Sequence, residues 1–375
     1  MTNDINRLLS IEHPLALGSF RNWIKLLKDS GGVDVEFLPR ILMVSFSSLI
    51  TSPLRVYERF RYAEKLNHVD VHPSPIFIIG HWRTGTTHLQ NLLCQDRHFS
   101  FISTFQTLAP GFYLVGNKTI KPILGRAVQK SHPTRLIDNI PLSFDAPQEE
   151  DFAMANLCPY SFLHLFTFPR LASHYFKRYA LFDGLPERTL SEWKEQYLNL
   201  LRKASYGTNG KRLVIKGPAN SGRIPVLLEL FPEAKFIHIY RNPYHVFLST
   251  LWIYKILLPK AQVQRIEWEQ AEEYVLSFYS LLMRKFLADK DRIPPQNLVE
   301  VRFEDLEKSP LDQLRRIYKS LDLPGFAEAE PAFNNYLAST NGYEKNHYQM
   351  SNDAIQKVNQ YWRFALDEWG YECLD

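Results

Sequence analysis

Residues 75–89 combine the residue types and the spacing that suit the binding of an anion. Residues 76–79 form a short, β-branched apolar run, which predicts a buried strand. Gly80 and Gly85 bracket the turn that follows, and an apolar pattern with helical spacing begins at Thr86. In such a strand–turn–helix, backbone N–H groups and the positive end of the helix dipole face a bound anion. The segment therefore predicts a phosphate-binding loop, with a turn that needs its glycines only for geometry as the simpler alternative.

The position of the cation in this loop separates the chain from ordinary nucleoside triphosphatases. The spacing of Gly80 and Gly85 matches the start of their phosphate-binding loop, but Thr86 stands where those proteins have a lysine. The cation is instead Arg83, inside the turn. Because a γ-phosphate with bound magnesium needs that lysine, an ATPase or GTPase of the usual kind is disfavoured, and a different phosphate-like donor is favoured.

Two further cations lie at the ends of predicted strands. Lys216 lies in the run 212–218, and Arg241 ends the run 235–241. A helix start follows Arg241, and Ser249 lies about two turns along that helix. Because ligands of parallel sheets bind at the carboxyl ends of the strands, these residues and the loop predict a ligand with at least two separated anionic groups. A surface arginine and a solvated turn lysine are the alternatives.

The acidic residues near the predicted strand ends argue against magnesium-dependent phosphoryl transfer. A triphosphatase usually presents an aspartate at the end of an apolar strand to hold the metal. Here the only acids that come directly after a predicted strand are Glu304 and Asp305, which follow the run 298–303. A transferred group that carries less charge than a γ-phosphate and needs no metal fits these residues better. A sulfuryl group on a nucleotide is such a group.

Short apolar runs alternate with helical patterns along most of the chain. This alternation predicts an α/β fold, with a P-loop-NTPase-like parallel sheet flanked by helices and an N-terminal helical extension. We expect a single domain, 1–375, that comprises the extension at 1–70, a nucleotide-binding core at 75–325 and a C-terminal segment at 326–375. Residues 99–170 are expected to be irregular.

The composition narrows the possible partners and the compartment. There are 44 basic and 40 acidic residues, and the net charge of +4 implies no nucleic-acid partner. Cys94, Cys158 and Cys373 are far apart, which argues against a disulfide framework and against a cysteine zinc site. The N-terminus has no secretory signal pattern, so the reducing cytoplasm is the expected location.

Residues 41–50 are the most apolar stretch near the N-terminus, and they contain three serines. Ten residues are too few to cross a bilayer, so no transmembrane segment is expected. Arg40 and Arg55 flank the stretch, which makes contact with a membrane surface one interpretation and a buried helix the favoured one. The oligomeric state and the role of residues 1–70 are left open.

Three segments, in the expected order, make the chain resemble sulfotransferases that use 3′-phosphoadenosine 5′-phosphosulfate (PAPS). The resemblance is to the bacterial branch that also resembles tyrosylprotein sulfotransferases. Residues 81–88 resemble the 5′-phosphosulfate loop of that family. Residues 231–243, continuing to Ser249, are similar to its 3′-phosphate segment, and residues 301–306 are similar to a segment of its later core.

The resemblance implies a role for each matching residue. Arg241 and Ser249 would hold the 3′-phosphate of the donor, and Lys216 would stabilise the transition state. Lys345, in the C-terminal segment, would be a further contact of the 3′-phosphate. The residues implied to form the 5′-phosphosulfate loop are Arg83, Thr84, Gly85, Thr86, Thr87 and His88.

The general base is the residue that the resemblance does not place. Tyrosylprotein sulfotransferases have a glutamate shortly after the loop, but residues 98–136 of this chain contain no acid. The acidic segment 145–151 supplies the leading candidates, Glu149 and Glu150, with a solvated acidic turn as the alternative. Histidines that flank the loop are further candidates, although such histidines more often pack or form hydrogen bonds. They are His81 and His88.

The expected reaction is transfer of a sulfuryl group from PAPS, without a metal, to a hydroxyl or less readily an amine. Lys216 and Arg83 would neutralise the charge on the leaving phosphate oxygen. The acceptor is expected to be a small molecule, a lipid or a glycan, with the aromatic stretches 99–113 and 160–179 as pocket walls. Two alternatives stay open: an atypical P-loop kinase that uses ATP, and a nucleotide-binding protein without turnover.

Overall fold

Five parallel strands form one sheet in the computed structural model, which describes residues 13–131, 134, 143–340 and 348–375. The strands are β1 (Ile76–Gly80), β2 (Phe99–Phe101), β3 (Arg212–Lys216), β4 (Lys235–Tyr240) and β5 (Leu298–Arg302). Their order across the sheet is β2-β3-β1-β4-β5. The parallel sheet that the sequence predicts is therefore confirmed.

The contacts within the chain divide it into two units. Unit 1 comprises Met1–Asp70, Ile102–Tyr206 and Ile253–Ala271, and unit 2 comprises Val71–Phe101, Gly207–Trp252 and Glu272–Asp375. All five strands belong to unit 2. The single domain expected from the sequence stays a prediction, because two such units can belong to one folding domain.

Helices alternate with the strands along the chain, as the sequence pattern predicts. The α-helices are α1 (Phe20–Asp29), α2 (Leu38–Ile50), α3 (Ser52–Asn67), α4 (Thr86–Leu93), α5 (Thr104–Leu108), α6 (Tyr113–Gly116), α7 (Ile120–Ser131), α8 (Glu150–Leu157), α9 (His164–Thr167), α10 (Ala172–Tyr179), α11 (Glu187–Ser205), α12 (Ile224–Leu230), α13 (Pro243–Ala261), α14 (Trp268–Asp289), α15 (Phe303–Lys308), α16 (Pro310–Ser320), α17 (Phe326–Ser339) and α18 (Asn352–Glu368). Short 3-10 turns occur at Val35–Phe37, Pro169–Leu171, Pro218–Gly222, Lys290–Arg292 and Pro295–Asn297.

The expectation that residues 99–170 are irregular is wrong. This stretch contains β2 and the helices α5 to α9 within its described part. These helices have between four and twelve residues, so each shows too few turns for an apolar period to stand out from the sequence. β2 has only three residues at the edge of the sheet, and its pairing with β3 gives it the strand conformation.

β1 lies in the middle of the sheet and supports the loop that follows it. Ile78 is paired with Lys216 of β3 on one side and with Ile237 of β4 on the other. The ring of Phe77 points to the opposite face, where it lies 5.4 Å from the ring of Phe236. Because the strand is buried on both faces, its carboxyl end holds the loop at a fixed position beside the ends of β3 and β4.

Helix α2 carries the apolar run near the N-terminus and is buried on one face only. Ile41 and Val44 are buried, whereas Leu42 and Phe46 are each 67% exposed. The favoured interpretation, a buried helix, is therefore wrong for half of its surface. By length and composition alone, the helical stretch Val35–Asn67 is long and apolar enough to cross a membrane. The expectation of no transmembrane segment was based on residues 41–50 only, which are a part of this longer stretch.

A buried histidine in unit 1 is expected to make stability depend on pH. The Nε2–H of His13 donates to the Ala261 carbonyl at 2.8 Å, and its Nδ1 accepts from the Leu15 N–H at 3.2 Å. Burial lowers the pKa of His13 to about 4, because a charged ring would lose water and would break the bond from Leu15. Between pH 6.5 and 4 the unfolded chain therefore binds a proton that the folded chain excludes. Stability should fall as the pH is lowered through this window.

The expected loss from this one group is about 3 kcal/mol between pH 7 and pH 4, from a shift of about 2.5 pKa units. Urea unfolding at several pH values measures it. His13→Asn should flatten the profile over this window, whereas the same change at exposed His68 should leave the slope as it is. Equal slopes for the two variants would contradict the role of His13.

Candidate active site

The turn after β1 is held by a close approach of backbone. Gly80 has a φ of +139°, and a Cβ there would lie 2.3 Å from the carbonyl oxygen of Ile239 in β4. The buried hydroxyl of Ser221 closes the other side, since it accepts from the Gly80 N–H at 2.8 Å and donates to the Gly80 carbonyl at 3.1 Å. The turn thus starts at a position that only glycine can occupy.

The loop has the backbone conformation of an anion-binding nest. Arg83 has a φ of +70° and Gly85 a φ of +98°, and Gly85 precedes the first residue of α4. Left-handed residues in such a turn bring successive N–H groups to face one point, and the helix N-terminus adds a partial positive charge. A left-handed arginine costs free energy, and strain of this kind concentrates at functional sites. The geometry of the loop therefore suits an anion.

The ring of Phe303 supports two parts of the site. A Cβ at Gly85 would lie 2.2 Å from Cδ2 of this ring, so the loop packs directly on it. The guanidinium carbon of Arg241 lies 4.4 Å from the centre of the same ring. A cation over an aromatic face at this distance is attracted to it. Phe303 therefore fixes the position of the loop and of Arg241 together.

Replacement of Gly85 by alanine is expected to destabilise the fold by about 3 kcal/mol, from overpacking against Phe303 and from the left-handed φ. Gly207→Ala is the matched control, because Gly207 has a φ of +77° and nothing within 4 Å of its Cβ position. That variant should lose only about 1 kcal/mol, from φ alone. Urea unfolding measures both, and equal losses would show that Phe303 does not limit residue 85.

Arg83, Arg241 and Ser249 lie in one cluster of unit 2. The Nε–H of Arg83 donates to the Ser249 hydroxyl at 2.7 Å, and the Nη1–H of Arg241 donates to the Arg83 carbonyl at 3.3 Å. Tyr348 lies next to them, with its hydroxyl 3.2 Å from that of Ser249. The structure thus brings together the cation of the loop, the cation after β4 and the serine two turns along α13. Their roles in binding stay predictions.

The partly buried position of Arg241 disfavours the charged form of its guanidinium group. Burial lowers its pKa, the neighbouring Arg83 lowers it further, and Glu304 and Glu307 act against both. Two guanidinium groups in one partly buried cluster repel each other unless an anion lies near both. An anion bound near both guanidinium groups would offset this repulsion, as expected of a phosphate site.

Lys216 ends β3, and its side chain is buried. The following residue, Gly217, donates its N–H to the Ile78 carbonyl, which ties the end of β3 to β1. Lys216 therefore stands at the carboxyl edge of the sheet, with its side chain shielded from bulk water. A cation in such a place stabilises negative charge more strongly than an exposed one does.

The remaining residues of the loop differ in their burial and in their hydrogen bonds. The Thr84 hydroxyl donates to the His81 carbonyl at 2.8 Å, so it closes the turn. Thr86 is buried, and Thr87 and His88 are partly exposed in the first turn of α4. Lys345, which the resemblance implies to be a further contact of the 3′-phosphate, lies outside the described residues.

His81 is a packing residue of the loop. Its ring is buried, its Nδ1 lies 2.9 Å from the Trp82 carbonyl, and its centre lies 4.7 Å from that of Tyr279. Burial lowers the pKa of His81 to about 3. A group with so low a pKa accepts protons weakly at neutral pH, so His81 is a poor candidate for the general base.

Glu149 and Glu150 lie in unit 1, where both are buried. Glu149 precedes the first residue of α8, and Glu150 accepts a hydrogen bond from the Tyr197 hydroxyl at 3.4 Å. The segment before them is tied to the chain by the Gln148 N–H, which donates to the Ile102 carbonyl at 2.9 Å. The alternative of a solvated acidic turn is wrong for these two residues. Their role as base stays a prediction.

The acids that follow β5 hold the backbone around Arg241. Glu304 accepts from the Asn242 N–H at 3.1 Å and from the Tyr371 hydroxyl at 2.8 Å. The Asn242 side chain in turn accepts from the Tyr244 N–H and starts α13. Within the described residues, no group of three or more histidine, cysteine or acidic side chains could hold a metal.

Three residues of the site were not recognised in the sequence. Ser221 clamps Gly80, Phe303 supports Gly85 and Arg241, and Tyr348 contacts Ser249. The position of Phe303 at the end of a predicted strand is the one signal that the sequence offered, because the ends of neighbouring parallel strands meet. Ser221 and Tyr348 reach the site through turns whose paths the sequence does not reveal.

A family profile and two proteins of known name are similar to this chain over most of its length. A family profile described as the sulfotransferase family matches residues 75–328. The chain is 32% identical over 363 residues to the omega-hydroxy-beta-dihydromenaquinone-9 sulfotransferase Stf3 of Mycobacterium bovis, with 96% of this chain and 92% of that protein covered. The same values hold for Stf3 of Mycobacterium tuberculosis.

Two solved structures have the same fold. The sulfotransferase STF9 of Mycobacterium avium superposes with a TM-score of 0.68 at 19% identity, covering 95% of this chain and 97% of that one. The sulfotransferase STF1 of M. tuberculosis superposes with a TM-score of 0.66 at 16% identity, covering 91% of each chain. The expected P-loop-like α/β fold is thereby confirmed.

Proposed function

This chain belongs to the sulfotransferase family, and from that premise we propose that it transfers a sulfuryl group from PAPS to a hydroxyl of a lipid acceptor. It is an enzyme of that family, and the resemblance stated from its loop and strand-end residues is confirmed at the level of the family. The atypical kinase and the protein without turnover are therefore disfavoured. The donor and the acceptor are parts of the proposal.

The cluster of Arg83, Arg241 and Ser249 is the observation that supports PAPS as donor. PAPS carries a phosphosulfate and a separate 3′-phosphate, so it needs two anion sites a short distance apart. The nest around Gly85 suits the first, and Arg241 with Ser249 suits the second. The bond from Arg83 to Ser249 makes the two sites neighbours. A donor with a single anionic end would use only one of these two sites.

The acceptor class is inferred from the relatives. Both mycobacterial relatives are named for a menaquinone that carries an ω-hydroxyl group, and each aligns with nearly the whole chain. We therefore infer that the acceptor here is a hydroxyl on a long apolar chain, such as that of a prenylated quinone. The high aromatic content, 14% of residues, is compatible with an apolar pocket of this kind.

In the proposed reaction, the acceptor oxygen attacks the sulfur of PAPS while the bond to the bridging phosphate oxygen breaks. The acceptor loses its proton and becomes a sulfate ester, and adenosine 3′,5′-bisphosphate leaves. Lys216 stabilises the charge that builds on the leaving oxygen, and Arg83 and the N–H groups of the loop orient and neutralise the phosphosulfate. Arg241 and Ser249 hold the 3′-phosphate and so fix the donor.

We propose Glu150 or Glu149 as the base that takes the acceptor proton. Both carboxyl groups are buried in unit 1, and the Tyr197 hydroxyl orients Glu150. If Glu150 is the base, Glu150→Gln should lower kcat by about 10²-fold or more and leave donor affinity unchanged. Glu149→Gln, measured in parallel, distinguishes the two neighbours.

The test of the function uses the purified full chain. Calorimetry should detect adenosine 3′,5′-bisphosphate binding, with much weaker binding of adenosine 5′-monophosphate. Sulfur-labelled PAPS and a prenylated quinone with a terminal hydroxyl should give a labelled lipid product, separated by chromatography. Binding without transfer would reject this acceptor and keep the donor. Absence of both, or magnesium-dependent use of ATP, would overturn the proposal.

A further inference from the structure

We propose that the exposed apolar face of α2 and α3 docks on the surface of an anionic lipid bilayer. The proposal concerns a surface of unit 1 that lies outside the residues assigned to the reaction. It does not depend on the proposed acceptor, since a chain that sulfates another molecule would present the same face. We call this surface the apolar face and define it by its residues: Leu38, Leu42, Phe46, Leu49, Ile50, Val56, Tyr57 and Phe60.

The exposed side of α2 is apolar throughout. The residues of α2 that are exposed are Leu38, Pro39, Leu42, Phe46, Leu49 and Ile50. None of them is polar, whereas a helix at the surface of a globular protein ordinarily turns charged and polar side chains to water. Leu42 and Phe46 are each 67% exposed, and Ile50 is 61% exposed. A helix side on which several large apolar side chains are exposed and no polar one is marks a site of interaction.

The same face continues on α3. Val56 is 70% exposed and Phe60 is 89% exposed. Within α2, and again within α3, the residues of the apolar face follow one another at intervals of one, three or four, which keeps them on one side of each helix. The face therefore includes residues of two consecutive helices rather than forming an isolated spot.

Basic residues flank the apolar face where α3 continues. Arg59, Arg61 and Lys65 are exposed, and the acid exposed among them is Glu64. On a helical projection, Arg59 and Arg61 fall on the two sides of the line that joins Val56 and Phe60. Apolar side chains between Lys and Arg side chains are the pattern of helices that lie in a membrane interface and contact anionic headgroups.

The opposite face of these helices is anchored to protein. The Arg40 Nη2–H donates to the Pro259 carbonyl at 2.8 Å, and the Trp23 Nε1–H donates to the Ser45 hydroxyl at 2.9 Å. Glu58 is buried, forms an ion pair with Lys203 and accepts from the Val115 N–H at 2.9 Å. A helix that crossed a bilayer would expose this ionic side to lipid, at high cost. The stretch Val35–Asn67 therefore lies on a membrane rather than in it.

Vesicle flotation with the purified full chain tests the docking. Vesicles of phosphatidylcholine with 30% phosphatidylglycerol should carry the protein, and neutral vesicles should carry much less. The paired change Leu42→Ser and Phe46→Ser should weaken binding at least tenfold, because each side chain contributes buried apolar area. The paired change Arg59→Gln and Arg61→Gln should weaken it about tenfold or more at low salt and less at 0.5 M salt.

Leu374→Ser is the matched control, since Leu374 is an exposed leucine outside the apolar face and should bind as the unchanged chain does. The melting temperatures of all variants should agree, because the changed side chains are exposed. The proposal is overturned if the unchanged chain does not float with anionic vesicles, or if Leu42→Ser with Phe46→Ser floats equally well. It is also overturned if that variant instead converts a stable dimer into a monomer, which would assign the face to a second copy.

Discussion

Replacing Arg241 by alanine is expected to weaken the binding of adenosine 3′,5′-bisphosphate by about 100-fold. The guanidinium is partly buried on the ring of Phe303 and donates to the loop carbonyl of Arg83. Removal of one partner of a buried charge pair costs about 2–5 kcal/mol, and 100-fold lies within that range. Calorimetry with the bisphosphate measures the change directly.

Two comparisons make this result specific to the 3′-phosphate. Adenosine 5′-monophosphate lacks that group, so its affinity should change only a few-fold, and the preference of the enzyme for the bisphosphate should disappear. Arg284→Ala is the matched control, because Arg284 also lies over a phenylalanine, with its guanidinium carbon 4.0 Å from the ring centre of Phe364. A parallel loss of affinity for both nucleotides would assign Arg241 to the structure of the loop instead.

The second large effect is expected at Lys216. The change Lys216→Met keeps most of the side-chain volume of this buried position and removes its charge. If the ammonium stabilises the leaving phosphate oxygen, kcat should fall by about 10²–10³-fold, the usual loss for one such donor. The affinity for adenosine 3′,5′-bisphosphate should stay within a few-fold, because the interaction strengthens in the transition state.

Lys211→Met serves as the control for this change, since Lys211 is exposed just before β3 and carries the same charge. Its kcat should equal that of the unchanged enzyme. A Lys216→Met variant that loses nucleotide affinity as much as it loses kcat would make Lys216 a binding residue. A variant with unchanged kcat would remove it from the reaction altogether.

Much of unit 2 was predictable because its signals are local. β1, β3 and β4 are short apolar runs; β1 ends in a glycine, β3 ends in a lysine, an arginine follows β4, and helical patterns come after each of them. Parallel strands joined by helices must place their carboxyl ends at one edge of a sheet. The convergence of Arg83 and Arg241 follows from that rule, without knowledge of any contact between their side chains.

The rest depends on contacts between distant parts of the chain. The ring that Gly85 and Arg241 share belongs to Phe303, more than 60 residues further along than Arg241, and no period in the sequence points to it. The exposure of Leu42 and Phe46 is equally hidden, since an apolar period shows that a helix has an apolar side but not what covers it. Burial of Glu149 and Glu150 depends on the packing of unit 1 in the same way.

Because Phe303 contacts both Gly85 and Arg241, it limits how the enzyme could be redesigned to use a simpler donor. Adenosine 5′-phosphosulfate, which lacks the second phosphate, would no longer need the guanidinium that rests on this ring. Once that cation is replaced, the ring loses one of the contacts that hold it, while its contact with the glycine remains. Engineering of donor choice would therefore have to change residues 85, 241 and 303 as one set, because each alone disturbs the other two.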